Sequence, residues 1–218
     1  MSLRDERKQQ SRQALLDAAL TLSTSGRSFS TISLREVARE AGLVPTAFYR
    51  HFQDMDELGA DLVDQVSLSL HHLIKSLREG YGLKAPSKTR MSIERFFAAV
   101  NDSPLHWEFL IGERWGGSNI VRGAIEREIH FFIDDLSQDM HKLPDFEHVK
   151  DHEDLRIMAE ILINLAFSWA MTWLNLPEEQ VLRDTQQEQL ISRTTRQAQL
   201  LFKGISNWQS PIKTVNPE

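Results

Sequence analysis

The chain has 218 residues, no cysteine and a formal net charge of −6, with 41% hydrophobic and 26% charged residues. That length allows a sizeable buried core in one or two domains, and the lack of cysteine excludes disulfides, thiolate metal sites and a cysteine nucleophile together. No apolar run reaches the length of about eighteen residues that would suggest a membrane span. The opening MSLRDERKQQ is charged and lacks the apolar stretch of a secretory signal, so a cytoplasmic protein is expected. Charge is uneven along the chain: residues 1–53 carry eight Lys or Arg against five Asp or Glu, which is +3, and the remainder carries 17 against 26, which is −9. A basic excess at one end suits an anionic partner, although an excess this small also arises by chance.

Taken in order, residues from Arg4 to Leu22 place Ala14, Leu15, Ala18, Ala19 and Leu22 at helical spacing, and Gly26 is a C-terminal stop. Ser33 followed by Glu36 forms a capping box, in which each side chain satisfies a free backbone N–H at a helix start. The helix it opens carries Leu34, Val37, Ala38 and Ala41 on one face, and Gly42 ends it after about two turns. Pro45 suits the first turn of a third helix, where its missing N–H costs nothing. Asp54 and Glu57 repeat the capping pattern and open a helix reaching Leu77, ended by Gly80 and Gly82 and followed by the linker LKAPSK.

Ser103-Pro104 starts another helix, LHWEFLIGERW; GGSN at 116–119 breaks it and begins the next, which carries Ile125, Ile129, Phe132, Ile133 and Leu136. LPDFEH is a further boundary. From Asp154 to Leu176 the chain is apolar almost all round, with Ile157, Met158, Ile161, Leu162, Leu165, Trp169 and Trp173, as in a helix buried on more than one side. Pro177 separates it from a last helix bearing Leu190, Ile191, Thr194, Ala198, Leu201, Phe202 and Ile205. No segment alternates with period two, so the fold is expected to be all-α, with a three-helix domain over 1–53 and a helical domain over 54–218.

Two short helices joined by a tight glycine turn make a helix-turn-helix. At about 100° per residue, Val44, Phe48 and Phe52 cluster toward the core, while Pro45, Thr46, Tyr49 and Arg50 fall on the opposite side. That outward face offers a cation, a phenol and a hydroxyl, which suit phosphate oxygens and base edges in a major groove. Arg can bond guanine with two hydrogen bonds, and the methyl-bearing Thr46 and Ala47 can touch thymine. Any amphipathic helix has a polar outer face; the capped short helix, the Ala41-Gly42 turn and the Pro-started helix behind a basic N-terminal helix favour DNA.

The stretch SLREVAREAGLVPTAFYRHFQDMDEL resembles the DNA-binding signature of TetR-family transcriptional regulators, whose N-terminal helix corresponds to residues 4–23. The resemblance implies that Tyr49 and His51 contact the DNA backbone, with Thr46, Ala47 and Arg50 close to bases. Periodicity alone puts His51 nearer the buried edge, so its role rests on the resemblance. A Lys that many members carry at the start of the fourth helix is Met55 here, and their Gly-Thr pair early in the recognition helix is Thr46-Ala47, so base preference is expected to differ. Arg4, Arg7, Lys8 and Arg12 of the first helix are expected to add phosphate contacts, and Arg35 lies in the signature itself. PTAFYRHFQDMDEL together with GERWGGSNIVRGAIEREIHFFIDDL further resembles the fatty-acid-responsive repressors of the family, which control unsaturated fatty acid synthesis or desaturation.

TetR-type proteins use their C-terminal helices as ligand pocket and dimer interface, and the resemblance implies a homodimer in which the last two helices of each subunit form a four-helix contact. Trp107, Phe109, Trp115, Phe132, Phe167 and Trp169 are candidate pocket linings; Phe131 and Trp173 lie in the same region. Each also fits ordinary core packing. Arg114, Arg122 and Arg127 beside them suit the phosphates of coenzyme A or an acidic acyl carrier protein, or else pair on the surface with Glu113, Glu126 and Glu128. The expected effector is a long-chain acyl thioester, and the other reading is an efflux or stress regulator answering a hydrophobic or cationic compound.

No cofactor is expected, nor a metal. Adjacent His71 and His72 point about 100° apart on a helix, and His148 and His152, spaced i,i+4, lack the glutamate of an H-E-x-x-H pattern. The chain has no Gly-x-Ser-x-Gly, no phosphate-binding glycine loop and no dinucleotide fingerprint, so an enzyme is not expected. A helical protein–protein adaptor would leave the Tyr49/Arg50 face unexplained.

Overall fold

Gly26 takes φ 81° and Gly42 φ 68°, a left-handed conformation open to glycine at no steric cost, and each ends a helix where the sequence expects it. The structure, a computed structural model, describes residues 3–78 and 86–209, with side chains described for 3–71 and 89–209. Among these residues the backbone forms nine α-helices and no strand: α1 Leu3–Ser23, α2 Leu34–Glu40, α3 Pro45–Phe48, α4 Met55–Arg78, α5 Pro86–Asp102, α6 Pro104–Glu113, α7 Asn119–His141, α8 His152–Leu174 and α9 Gln180–Ser206. Single 3-10 turns occupy Phe29–Thr31 and Pro144–Phe146. The expected all-α fold is present.

The stops at Gly80 and Gly82 and the first half of LKAPSK lie outside the described residues; from Pro86 onward that stretch is already helix. α5 is an element beyond those expected from the sequence, and its Ile93, Phe96, Phe97 and Val100, at helical spacing, are all buried. α8 opens at His152 rather than Asp154, because Asp151 accepts the Glu153 backbone N–H at 3.0 Å and caps the helix two residues earlier.

Contacts group the chain into two compact units, Met1–Lys75 with Val100–Ile129 and Ser76–Ala99 with His130–Glu218. In the first, α1 packs on α2 and α6, and α2 packs on α3. Leu15, Leu16 and Ala19 of α1, Val37 and Ala38 of α2, Phe48, Phe52 and Leu62 are buried there. Burying an aliphatic or aromatic side chain stabilises by about 1.5–3 kcal/mol, so these few residues outweigh the weak intrinsic stability of two very short helices.

In the second unit α8 packs on α9. Phe97 stacks on Trp173 at 4.2 Å between ring centroids, Phe96 meets Trp169 edge-on at 6.3 Å, and the Trp169 indole N–H donates to Gln197 at 2.9 Å. Phe146 of the second 3-10 turn contacts Phe202 of α9 at 6.4 Å. α8 is long and apolar enough to cross a membrane by length and composition alone, but eight of its residues, among them Leu155, Phe167, Trp169 and Trp173, are buried in the protein. The expectation of burial on more than one side needs correction for the single chain. Ile157 is 47% exposed, Ile161 40% and Met171 53%, so one apolar face of α8 is uncovered.

Candidate nucleic-acid interface

The local chemistry of residues 27–52 explains its shape. The Ser33 backbone N–H donates to Glu36 at 2.9 Å, and the Glu36 N–H donates to Ser33 Oγ at 3.3 Å, completing the capping box at the start of α2. Arg27 bonds the same carboxylate at 2.9 Å. That guanidinium, then the Ser33 N–H and hydroxyl, lower the Glu36 pKa to about 2, so the cap stays ionised through the physiological range. At the other end the Gly42 N–H donates to Arg39 O at 3.0 Å and the Leu43 N–H to Ala38 O at 2.8 Å, the paired bonds of a Schellman motif. The chain reverses there and enters α3 with Pro45 in its first turn.

α3 is only four residues long, and i→i+3 bonds from Arg50 N–H to Ala47 O and from His51 N–H to Phe48 O carry the curl onward to Phe52. Phe48 is fully buried and Phe52 2% exposed, their rings 5.6 Å apart. Pro45, Thr46, Tyr49 and Arg50 are exposed, Tyr49 at 65%, and Ala47 is half-buried. The structure therefore gathers the expected outward set on one surface. Val44 is a correction: expected in the core, it is 65% exposed. It is the N-cap, with extended backbone at φ −75° and ψ 145°, so the helical angle per residue that placed it inward does not apply to it.

On α1, Arg4, Arg7 and Lys8 are exposed, as is Arg35 of α2. Arg12 is engaged within the block, where its guanidinium bonds Asp61 of α4 and lies 5.1 Å over the Phe52 ring. His51 is half-buried, with Nε2 2.8 Å from Ser11 Oγ. Ser11 already donates its hydroxyl proton to Lys8 O at 3.0 Å, so the imidazole must be the donor in that contact. The proton therefore sits on Nε2, and the buried Nδ1 has no hydrogen-bond partner among the described residues. Burial first, then the charges of Lys8, Arg12 and Arg50, push the His51 pKa below its usual value and keep the ring neutral.

The candidate effector residues divide between the two units. In the first, Trp107 and Phe109 are buried, Arg114 lies 5.6 Å over the Trp115 ring, and Trp115 is 83% exposed. Arg122 bonds Gly116 O and Asn119 Oδ1. In the second, Phe132, Phe167 and Trp169 are buried. His148 and His152 do not share a helix turn: His148 Nε2 lies 2.8 Å from Ile205 O, and the His152 ring contacts that of His141 at 4.3 Å. Among the described residues no group of three or more His, Asp or Glu could hold a metal ion. Glu113, expected as a surface partner of the arginines, is a correction: it is only 3% exposed at the end of α6 and serves Phe29 N–H and Ser28 Oγ, at separations of 84 and 85 residues that sequence spacing does not reveal.

A capped α2, a Schellman turn and a short α3 with an outward polar face define a helix-turn-helix DNA-binding protein. Residues 15–62 match the family model described as bacterial regulatory proteins, tetR family, and residues 87–197, just over half of the chain, match the tetracyclin repressor-like C-terminal domain. The chain belongs to the TetR family of transcriptional regulators, and as such it is a DNA-binding protein and not an enzyme. Its fold is similar to that of the fatty acid degradation regulator FadR from Bacillus halodurans, at 13% identity over 89% of this chain and 95% of that one, with a TM-score of 0.65. FadR from Bacillus subtilis in complex with stearoyl-CoA is similar at 14% identity over 88% and 98% of the two chains, with a TM-score of 0.63. E. coli NemR in its reduced form is similar at 16% identity over 88% and 97%, with a TM-score of 0.62.

Proposed function

We propose that this protein is a cytoplasmic, homodimeric repressor that binds a palindromic operator and regulates fatty acid metabolism, unsaturated fatty acid synthesis above all, in answer to a long-chain acyl thioester. Residues 1–53 serve as the DNA-binding domain and 54–218 as the effector-binding and dimerisation domain. The observation that carries the operator reading is the outward set of Thr46, Tyr49 and Arg50 above a fully buried Phe48, flanked by the exposed Arg4, Arg7 and Lys8. Two-fold pairing sets two such faces against successive half-sites. The uncovered apolar face of α8, with Ile157, Ile161 and Met171, supports a dimer that buries it against a second copy.

The effector reading draws on the buried aromatic residues Trp107, Phe109, Phe132, Phe167 and Trp169, on Arg114 and Arg122 near the end of α6, and on the likeness of fold to a regulator solved with stearoyl-CoA. An effector changes operator affinity only by binding the DNA-competent and incompetent conformations unequally, typically by about 1–3 kcal/mol. The test is operator affinity measured without ligand and with stearoyl-CoA, oleoyl-CoA and free coenzyme A. A shift of about five-fold or more with the acyl thioesters alone is expected. No shift with either thioester removes the acyl reading and leaves a regulator of hydrophobic or cationic compounds.

A further inference from the structure

α2 and α3 have seven and four residues, too short to hold a direction by themselves, so whatever holds the turn before them decides where the outward residues point. That turn is Ser28–Ser30, and a buried carboxylate closes on it. Glu113, the last residue of α6, accepts the Phe29 backbone N–H on Oε1 at 2.7 Å and lies 3.3 Å from the Ser28 hydroxyl through Oε2. The Phe29 N–H opens a 3-10 turn and has no acceptor within it, so Glu113 supplies the missing partner.

Two glycines make the approach possible. A Cβ on Gly116 would come within 2.0 Å of Glu113 Oε2, and one on Gly117 within 2.3 Å of Ser30 Oγ and 2.9 Å of Ser30 Cβ. The Phe29 ring also packs against α4, where a Cβ on Gly59 would meet it at 2.9 Å. Residues of α4, α6 and the loop after α6 thus converge on one short turn, three residues upstream of the Ser33 cap of α2.

We propose that Glu113, Gly116 and Gly117 form a latch on the Ser28–Ser30 turn that sets the direction of α2 and α3 for operator binding. Glu113 is a positioning residue that touches no DNA. The latch rests on the reading of α2–α3 as the operator face. Base readout depends on paired hydrogen bonds whose alignment tolerates little rotation, so a displaced turn weakens binding although every DNA-contacting side chain is still present.

The test measures the affinity of the full-length protein for a duplex that the wild type selects from random sequence, alongside dimer mass and helical circular dichroism. Glu113→Ala leaves a buried backbone N–H without its acceptor, and binding about tenfold or more weaker is expected. Glu113→Gln keeps a carbonyl oxygen for Phe29 and is expected to bind within about threefold of wild type. Gly117→Ala, like Glu113→Ala, is expected to weaken binding about tenfold or more, and adding Ser30→Gly, which removes both atoms the new methyl meets, restores it. The salt slope of binding stays unchanged in all of them, because no phosphate contact is lost.

Wild-type affinity in folded Glu113→Ala or Gly117→Ala overturns the latch, as does a Ser30→Gly/Gly117→Ala variant that is folded and dimeric yet does not recover. Should a single variant fail to fold, that double variant decides. A wild type that selects no DNA overturns the operator reading and the latch together; a wild type that binds, with variants indistinguishable from it, overturns the latch alone.

Discussion

His51 Nε2 lies 2.8 Å from Ser11 Oγ, tying the turn after α3 to α1 forty residues earlier in the chain. Nε2–H can donate in either charge state, but a second proton would sit on Nδ1, which is buried without a partner among the described residues. Burial above all lowers the His51 pKa, so below its usual value near 6.5 the folded state binds fewer protons than the unfolded state. Stability therefore rises with pH across that window; it is fully present above about 6.5 and is lost as pH falls toward the lowered value. His106 on α6 adds to the same trend, since burial lowers its pKa while the nearby Asp17 opposes the shift. Melting temperature is expected to drop from about pH 7.5 to about pH 5. The drop shrinks in His51→Gln and shrinks further with His106→Gln; parallel profiles in all three proteins would sink the assignment.

Tyr49→Ala and Arg50→Ala are expected to weaken operator binding by about 1–3 kcal/mol each, with Arg50→Ala also relaxing the preference at one base pair. Lys8→Ala is expected to weaken binding on all sequences alike and reduce the salt slope by about one. Titrations at several salt concentrations separate the two behaviours. Equal salt slopes in Lys8→Ala and wild type would show that α1 does not reach phosphate.

The two ends of α2 should differ in how they respond to alanine. Ser33→Ala removes the cap hydroxyl, at a cost of about 1 kcal/mol. Gly42→Ala meets no atom within 4 Å but forces a side chain onto φ 68°, which costs about 1–2 kcal/mol. In a chain of this size each change lowers the melting temperature by about 2–4 °C per kcal/mol. Calorimetry that finds Gly42→Ala neutral would contradict the left-handed turn.

Placing a charge on the uncovered face of α8 tests the dimer. Ile157→Lys/Ile161→Lys is expected to yield a folded monomer in light scattering and to lose most operator affinity, because half-site binding forfeits the gain of two linked contacts. A double variant that remains dimeric would place the interface elsewhere.

Local signals were legible from residue order alone. Ser33 with Glu36, Gly42, Pro45 and the Asp54/Glu57 pair act within a few residues of themselves, and Glu57 N–H does donate to Asp54 at 2.9 Å. The buried partners of the recognition helix, Phe48 and Phe52, followed from spacing. Val44 did not, since helical spacing describes only residues inside a helix and Val44 stands one before it. Glu113 was misplaced for another reason: the sequence around it resembles a charged, solvated helix end, and only the fold shows which backbone amide it serves. Arg12, expected as a phosphate contact, also pairs with Asp61, 49 residues on, which spacing does not foretell. Pairings across long separations need three dimensions.

The brevity of α3 has a consequence for how such a protein changes its target. The scaffold is carried by Val37, Ala38, Phe48 and Phe52, all inward, and by a cap and a turn that belong to α2. Positions 44, 45, 46, 49 and 50 are exposed. Four of them, Val44, Thr46, Tyr49 and Arg50, are thus open to exchange with little penalty in folding, while Pro45 also serves the helix start. A descendant could acquire a new operator through a handful of surface substitutions while keeping its old interior.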